Sequence, residues 1–322
     1  MKKQLMQAIR VHQYGGPEQL KLEQVPRPEP QAGEVLIRVH SVGVLPVEWK
    51  IRQGFFQAIR PDLFPYIPGS AIAGVVEEVG PGVTTFKVGQ AVFGRSTNGA
   101  YAEYTTTAVA PPALGPVTFS LLAEKPETLS FDEAATISGG ATIAWTALFE
   151  DGALQAGQRV LIHGAAGGVG SFAVQFAHWK GAQVIATSSQ ANMDFVHSLG
   201  AETVIDYAST PFEQLVHDVD LVLETIGGQT LQRSMTVVKR GGRLISLLAQ
   251  PSPELAQKYG IYASKNAANP TSNLLWTIAQ LIEEGQIKVT IMQTFPLNEA
   301  SRAHELSQTG HGRGRIVLHI VD

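Results

Sequence analysis

The stretch Arg159–Ala177, RVLIHGAAGGVGSFAVQFA, sets a run of glycine and alanine between an apolar strand-like segment and an amphipathic helix-like one. Ordering so bare a backbone is costly, because glycine loses the most conformational freedom on folding. Such a loop is kept where something must come close to the main chain. Gly167, Gly168, Val169 and Gly170 stand where strand passes to helix, and the bare amides and positive dipole end of a helix start suit a dinucleotide pyrophosphate there. Ala165 replaces the first glycine of the G-x-G-x-x-G fingerprint, so the loop taken alone also reads as a tight strand–helix turn.

The surroundings favour the dinucleotide reading. From about Ser130 the pattern alternates: strands over Arg159–His163, Gln183–Thr187, Thr203–Ile205, Asp220–Glu224 and Arg243–Leu248, helices over Gly168–Lys180 and Gln190–Leu199. Ser130-Phe-Asp-Glu133 is a capping box, and Thr210-Pro-Phe-Glu213 reads as the start of another helix. Repeated β-α-β units imply a parallel sheet covered on both faces. Residues 1–126 read instead as short β-segments with turns, and Val35, Ile37 and Val39 alternate with Leu36, Arg38 and His40 as in a partly buried strand. After Asn269 come helices over Asn273–Glu284 and Asn298–Gln308, then a last strand, GRIVLHI, expected to return to the first domain. The expected fold is α/β: a doubly wound parallel sheet of Rossmann type (127–266) inserted into a β-rich domain (1–126 and 267–322).

Bulk properties exclude several classes. The chain has 322 residues, 44% hydrophobic and 16% charged, enough for one large or two ordinary cores. A net charge of −4 argues against nucleic acid or an anionic membrane as partner. No apolar run approaches the ~18 residues of a membrane span, and MKKQLMQAIRVHQYGG is a poor signal peptide, so a cytoplasmic protein is expected. With no cysteine, disulfides, thiol nucleophiles and cysteine-bound zinc are excluded together. The nine histidines are scattered without metal-ligand spacing and are expected at surfaces or caps.

The second strand of an NAD site usually ends in an acid that holds the ribose hydroxyls and repels a 2′-phosphate. Here the strand runs into TSSQAN, where Thr187, Ser188, Ser189 and Asn192 offer neutral donors, so NADP fits better. Serines also cap helices whatever the ligand, and both roles can coexist.

At this point the chain resembles the medium-chain dehydrogenase/reductases, in their zinc-free quinone oxidoreductase branch. The resemblance rests on Gly157-Gln158, Leu161, Ala165-Ala166-Gly167-Gly168, Gly170 and Gln175, on GSAIAGVVEEVGPGVTTFKVGQAVFG, and on RGRIVLHI. It implies a GroES-like substrate domain beside the Rossmann domain, with NADPH in the cleft between them. It further implies that Thr142 contacts the nicotinamide amide and that Tyr207 flanks the 2′-phosphate. Asn192 stands where relatives often carry lysine, and VAPPALGPVTF (Val109–Phe119) looks like an insertion.

Zinc-dependent relatives hold their metal through a cysteine and a His-Glu pair, whose places are taken here by Leu45, Ser70 and Ala71. Leucine and alanine cannot ligate a metal, so none is expected. Without a metal to stabilise an alkoxide, alcohol oxidation is disfavoured. Hydride addition to a quinone or an α,β-unsaturated carbonyl is easier, because the charge delocalises and the cofactor carries the hard step. Leu45, Phe56 and Tyr66, with Phe55 and Phe64 nearby, are expected to border the substrate pocket. Tyr66 is a candidate proton donor or simply an aromatic wall, and Glu48 reads as structural. Two alternatives stay open: a non-catalytic NADPH-binding protein, and an enoyl-thioester reductase. The segment YGIYASKNA (Tyr259–Ala267) suits an edge strand, and the resemblance implies a homodimer paired through it.

Overall fold

The computed structural model describes residues 4–58, 64–109, 121–267 and 269–321. From residue 110 on, the segment read as an insertion lies outside the described residues. The N-terminal part contributes β1 (Leu5–Arg10), β2 (Lys21–Pro26), β3 (Glu34–Val44), β4 (Ala71–Val79), β5 (Ala91–Arg95), β6 (Tyr104–Ala108) and β7 (Leu122–Glu124). Then follow β8 (Arg159–Ile162), β9 (Gln183–Ser188), β10 (Thr203–Asp206), β11 (Val219–Glu224), β12 (Val238–Ser246) and β13 (Tyr262–Lys265). The chain closes with β14 (Ile291–Pro296) and β15 (Arg315–His319).

β8 to β13 form one parallel sheet in the order β10-β9-β8-β11-β12-β13. Its central strands are apolar on both faces, with Val160, Leu161, Ile162, Leu221, Val222 and Leu223 all buried. That is the mark of a parallel strand with helices above and below. The chain runs outward from β8 to β10, then crosses back to lay β11 beside β8. The strand order therefore reverses between β8 and β11, where doubly wound sheets open a ligand crevice at their carboxyl ends.

The second sheet has the order β14-β15-β3-β4-β5-β7, with β6 also paired to β3. β15 runs antiparallel to β3, placing Val317 opposite Gly43, so the C-terminal strand does join the first sheet. The helix Ser272–Glu283 nevertheless buries Leu274, Leu275, Ile278 and Ala279 in the same apolar cluster as Leu148, Phe172 and Phe176. The capping box is formed as expected: Ser130 Oγ accepts from Glu133 N, and Glu133 Oε2 accepts from Ser130 N at 2.9 Å.

Four local expectations need correction. β3 is not half-buried: Leu36 and His40 are buried along with Val35, Ile37 and Val39, because β15, β4 and β6 flank it and the chain covers both faces. No α-helix follows Thr210; Phe212–Gln214 makes one 3-10 turn, since the chain must enter β11 at Val219. Phe212 pins that turn by packing edge-on to His163, with ring centres 4.6 Å apart. The helix expected over 190–199 is a 3-10 turn, Gln190–Asn192, followed by an α-helix over Met193–Ser198. Three histidines are interior rather than superficial: His40, His163 and His304 are each 5% exposed or less.

Candidate active site at the sheet crossover

The glycine loop leaves β8 through Gly164, whose φ of +63° suits a residue without a side chain. Thr225 Oγ1 donates to His163 O at 2.7 Å and ties the loop to the end of β11. Gly167 N donates back to Gly164 O at 3.0 Å, and Gly170 opens the helix Gly170–Trp179. A Cβ at Gly170 would strike Gly164 O and come within 2.7 Å of Ala165 Cα, so the loop closes only with glycine there. Helix-opening amides are thereby presented at the crevice.

The C-terminal segment folds onto this loop. Gly314 N donates to Ala166 O at 2.8 Å, and Gly314 pairs with Gly167 as an isolated bridge. Arg315, 4% exposed, threads between the loop and the Gly139-Gly140 turn. A Cβ at Gly168 or Gly140 would meet its side chain at 2.6 or 2.9 Å, so both glycines clear its path. One guanidinium nitrogen, Nη2, donates to Gly139 O, while Nε has no hydrogen-bond partner among the described residues. Burial lowers its pKa to about 10, with the Glu48 charge opposing, so it stays cationic at neutral pH. A buried cation with a spare donor under a glycine loop fits an anionic group such as a pyrophosphate.

Beyond β9 the expected residues are neighbours. Ser188 Oγ donates to Ser189 O at 3.1 Å, and Tyr207 N donates to Ser188 O at 3.2 Å. Arg313, absent from the sequence expectations, joins them. Its Nε donates to Asn192 Oδ1 at 2.8 Å and its Nη2 to Ala191 O at 2.6 Å. The cation missing at position 192 therefore arrives from the far end of the chain. Its signal was RGRIVLHI, whose two arginines flank a glycine where the last strand begins.

Thr142 is buried and accepts from Gly139 N at 3.0 Å. The side chain of Leu45 lies against that same Gly139, since a Cβ there would meet Leu45 Cδ1 at 2.9 Å. Leu45 caps the helix Pro46–Arg52, and its amide donates to Glu48 Oε2 at 3.0 Å. Glu48, 5% exposed, also accepts from Ser70 N at 3.0 Å, Ser70 Oγ at 3.4 Å and Tyr101 Oη at 2.7 Å. Burial raises the Glu48 pKa against the pull of these donors. The Tyr66 hydroxyl is buried, and its ring packs 5.7 Å from that of Phe64. Phe56 is half-buried just beyond the helix Pro46–Arg52, and Phe55 is exposed. Among the described residues no three His, Cys, Asp or Glu side chains cluster as a metal site.

Comparison with known proteins agrees with this architecture. Residues 31–113 match the alcohol dehydrogenase GroES-like domain, and residues 199–318 match the zinc-binding dehydrogenase domain. Quinone oxidoreductase of Rattus norvegicus is 35% identical over 98% of both chains. This chain belongs to the quinone oxidoreductase family of medium-chain dehydrogenases/reductases. The family extends to plants, where the chloroplast envelope quinone oxidoreductase homolog of Arabidopsis thaliana is 31% identical over 98% of both chains. The solved quinone oxidoreductase of Coxiella burnetii superposes with a TM-score of 0.91 at 31% identity, covering 99% of this chain and 100% of that one. The Escherichia coli quinone oxidoreductase, solved with NADPH, gives 0.88 at 26% identity, covering 97% of this chain and 99% of that one. The molecule is thus an oxidoreductase with a Rossmann sheet and a GroES-like partner domain.

Proposed function

We propose that this quinone oxidoreductase relative uses NADPH to reduce a quinone or an α,β-unsaturated carbonyl, without a metal. The carrying observation is the pair Arg313 and Arg315, which bring a cation to each end of the expected phosphate path. In this reading the amides of Gly167, Gly168, Val169 and Gly170, with Arg315, hold the pyrophosphate. Arg313, Ser188, Ser189, Asn192 and Tyr207 hold the 2′-phosphate, and Thr142 faces the nicotinamide. When bound, NADPH supplies a hydride; the chain positions the acceptor beside it and manages the charge left on oxygen.

In this reading Leu45 and Ser70 take the places of the ligands of zinc-dependent relatives, and the apolar side chain of Leu45 lies against Gly139. A planar conjugated acceptor suits such a wall better than an alcohol needing a Lewis acid. β13 is an edge strand of the sheet with Tyr262 66% exposed, which supports pairing of two copies through it. The test is NADPH oxidation against quinones, short enones, enoyl thioesters and saturated aldehydes, repeated after prolonged chelation and desalting. Turnover with quinones or enones that survives chelation is expected. Turnover restored only by zinc, or none with any conjugated acceptor, overturns the proposal.

A further inference from the structure

Glu48 is the end of a one-way chain of buried hydrogen bonds. Arg52 Nε, always a donor, meets His304 Nδ1 at 3.4 Å, which leaves the imidazole proton on Nε2. His304 Nε2 is 3.0 Å from Tyr101 Oη, and Tyr101 Oη donates to Glu48 Oε2 at 2.7 Å. Arg52, Tyr101 and His304 are fully buried. Arg52 is further fixed by donating to Gly15 O at 2.6 Å and Gln308 Oε1 at 2.5 Å.

This chain cannot carry a proton inward, because the guanidinium does not give one up. It holds the Tyr101 hydroxyl on Glu48 Oε2, where it steadies the carboxylate left once the proton has passed on. The other carboxyl oxygen, Oε1, faces Ser70, whose amide donates at 3.0 Å and whose hydroxyl sits at 3.4 Å. Ser70 is half-buried, and its carbonyl is pinned by Ser96 N at 2.8 Å. Ser70 and Leu45 thus hold the two oxygens of one buried carboxyl, and the Leu45 side chain lies against Gly139, whose amide donates to Thr142.

We infer that Ser70 is the proton donor to the oxygen of the reduced acceptor and that Glu48 resupplies Ser70 from behind. The inference rests on the reading of this site as an NADPH-dependent carbonyl-conjugate reductase. Hydride addition places an electron pair on the acceptor oxygen. The Ser70 O–H bond breaks as a new O–H bond forms there, and Ser70 Oγ takes the carboxyl proton of Glu48. Glu48 is left as a carboxylate, held by the amides of Leu45 and Ser70 and by Tyr101. Water returns the proton through Ser70 once product leaves. Burial raises the Glu48 pKa, which favours the loaded acid, and the donors around it limit that rise. The charged and titratable groups facing it are Tyr101, His304 behind Tyr101, Arg52 on its own helix, Arg95 on β5 and Arg315 on β15. Tyr101 is itself raised well above an ordinary phenol by burial and then by Glu48, so it remains protonated.

The test compares Ser70→Ala, Ser70→Thr, Glu48→Gln and Tyr101→Phe with the parent enzyme, using NADPH and a quinone or enone. Ser70→Ala should lower kcat by ~10²-fold or more with the KM for NADPH unchanged, and Ser70→Thr should restore most of it. The parent kcat should fall on the alkaline side as Glu48 loses its proton. Glu48→Gln should abolish that limb, and Tyr101→Phe should move it to higher pH by removing a donor to the carboxylate. Infrared titration of the cofactor-free protein should show a protonated carboxyl band that Glu48→Gln lacks. Should Glu48→Gln fail to fold, the Tyr101→Phe shift and the Ser70 pair decide. Full rate in Ser70→Ala, or an unmoved alkaline limb in Tyr101→Phe, overturns the inference while the reductase reading stands. Absence of NADPH oxidation by the parent with every acceptor overturns the reading itself.

Discussion

Arg313 Nε donates to Asn192 Oδ1 across 2.8 Å, binding the approach to β15 to the turn after β9. The contact crosses 121 positions of sequence and puts a cation beside neutral side chains that alone would hold a phosphate weakly.

Arg313→Gln should lower kcat/KM for NADPH about tenfold or more, a loss of about 1.4 kcal/mol, while leaving NADH almost unchanged. Steady-state kinetics with both cofactors checks this. Equal losses for the two would mean that Arg313 holds the loop and not the phosphate.

Glycine substitutions separate two kinds of crowding. At Gly170 a methyl group meets backbone, Gly164 O and Ala165 Cα, neither of which can move without opening the loop. Gly170→Ala should therefore reduce soluble yield or thermal stability sharply. At Gly168 the obstacle is the Arg315 side chain, 2.6 Å from the added carbon at its Cδ and Nε. Gly168→Ala should fold but weaken NADPH binding, measured by quenching or enhancement of cofactor fluorescence. Equal stability of both variants would contradict this account of the loop.

Much of this loop was legible because strand, turn and helix are contiguous: Gly164 to Gly170 carry their meaning in a single stretch. The neutral end of β9 was legible for the same reason. Arg313 and Arg315 were not, since nothing local tells an arginine near the last strand that it will reach Asn192 or Gly139. The burial of Glu48 and its partners Tyr101 and, behind it, His304 were not legible either, because they are tertiary facts. The helix expected after Thr210 failed on length, since a good cap cannot make a helix where the next strand begins at Val219. The interior histidines escaped notice because spacing reveals metal sites, whereas His163 is held by Thr187 and Ser234, both 3.0 Å away.

His163 and His304 should make the fold weaker in acid. Burial, then Arg233 for His163 and Arg52 for His304, lowers each from 6.5 to about 3. Between those values the unfolded chain binds protons that the folded one refuses, so stability is present above pH 6.5 and falls as pH drops. Each histidine removes about 2 kcal/mol between pH 6.5 and 5, at ~1.4 kcal/mol per pH unit. Urea midpoints at pH 7 and 5 should show the drop, and His163→Asn should flatten it by about one histidine's share. An unchanged slope in that variant would place the acid weakness elsewhere.

Assembly through β13 can be tested at one amide. Asn266 N donates inward to Ser246 O at 2.8 Å, so the period-two alternation of a strand turns the Ala263 amide outward. The parent should sediment at twice the 34.5 kDa chain mass, and Ala263→Pro, which removes that outward N–H, should shift it toward monomer. A parent that is monomeric at micromolar concentration excludes the edge-to-edge pair.

The most direct test of the central claim is the ratio of kcat/KM for NADPH to that for NADH in the parent enzyme, with one quinone acceptor at low salt. The account predicts at least tenfold in favour of NADPH, reversed toward NADH by Ser188→Asp, which sets a carboxylate against the 2′-phosphate. Equal use of the two cofactors, or preference for NADH in the parent, would contradict it.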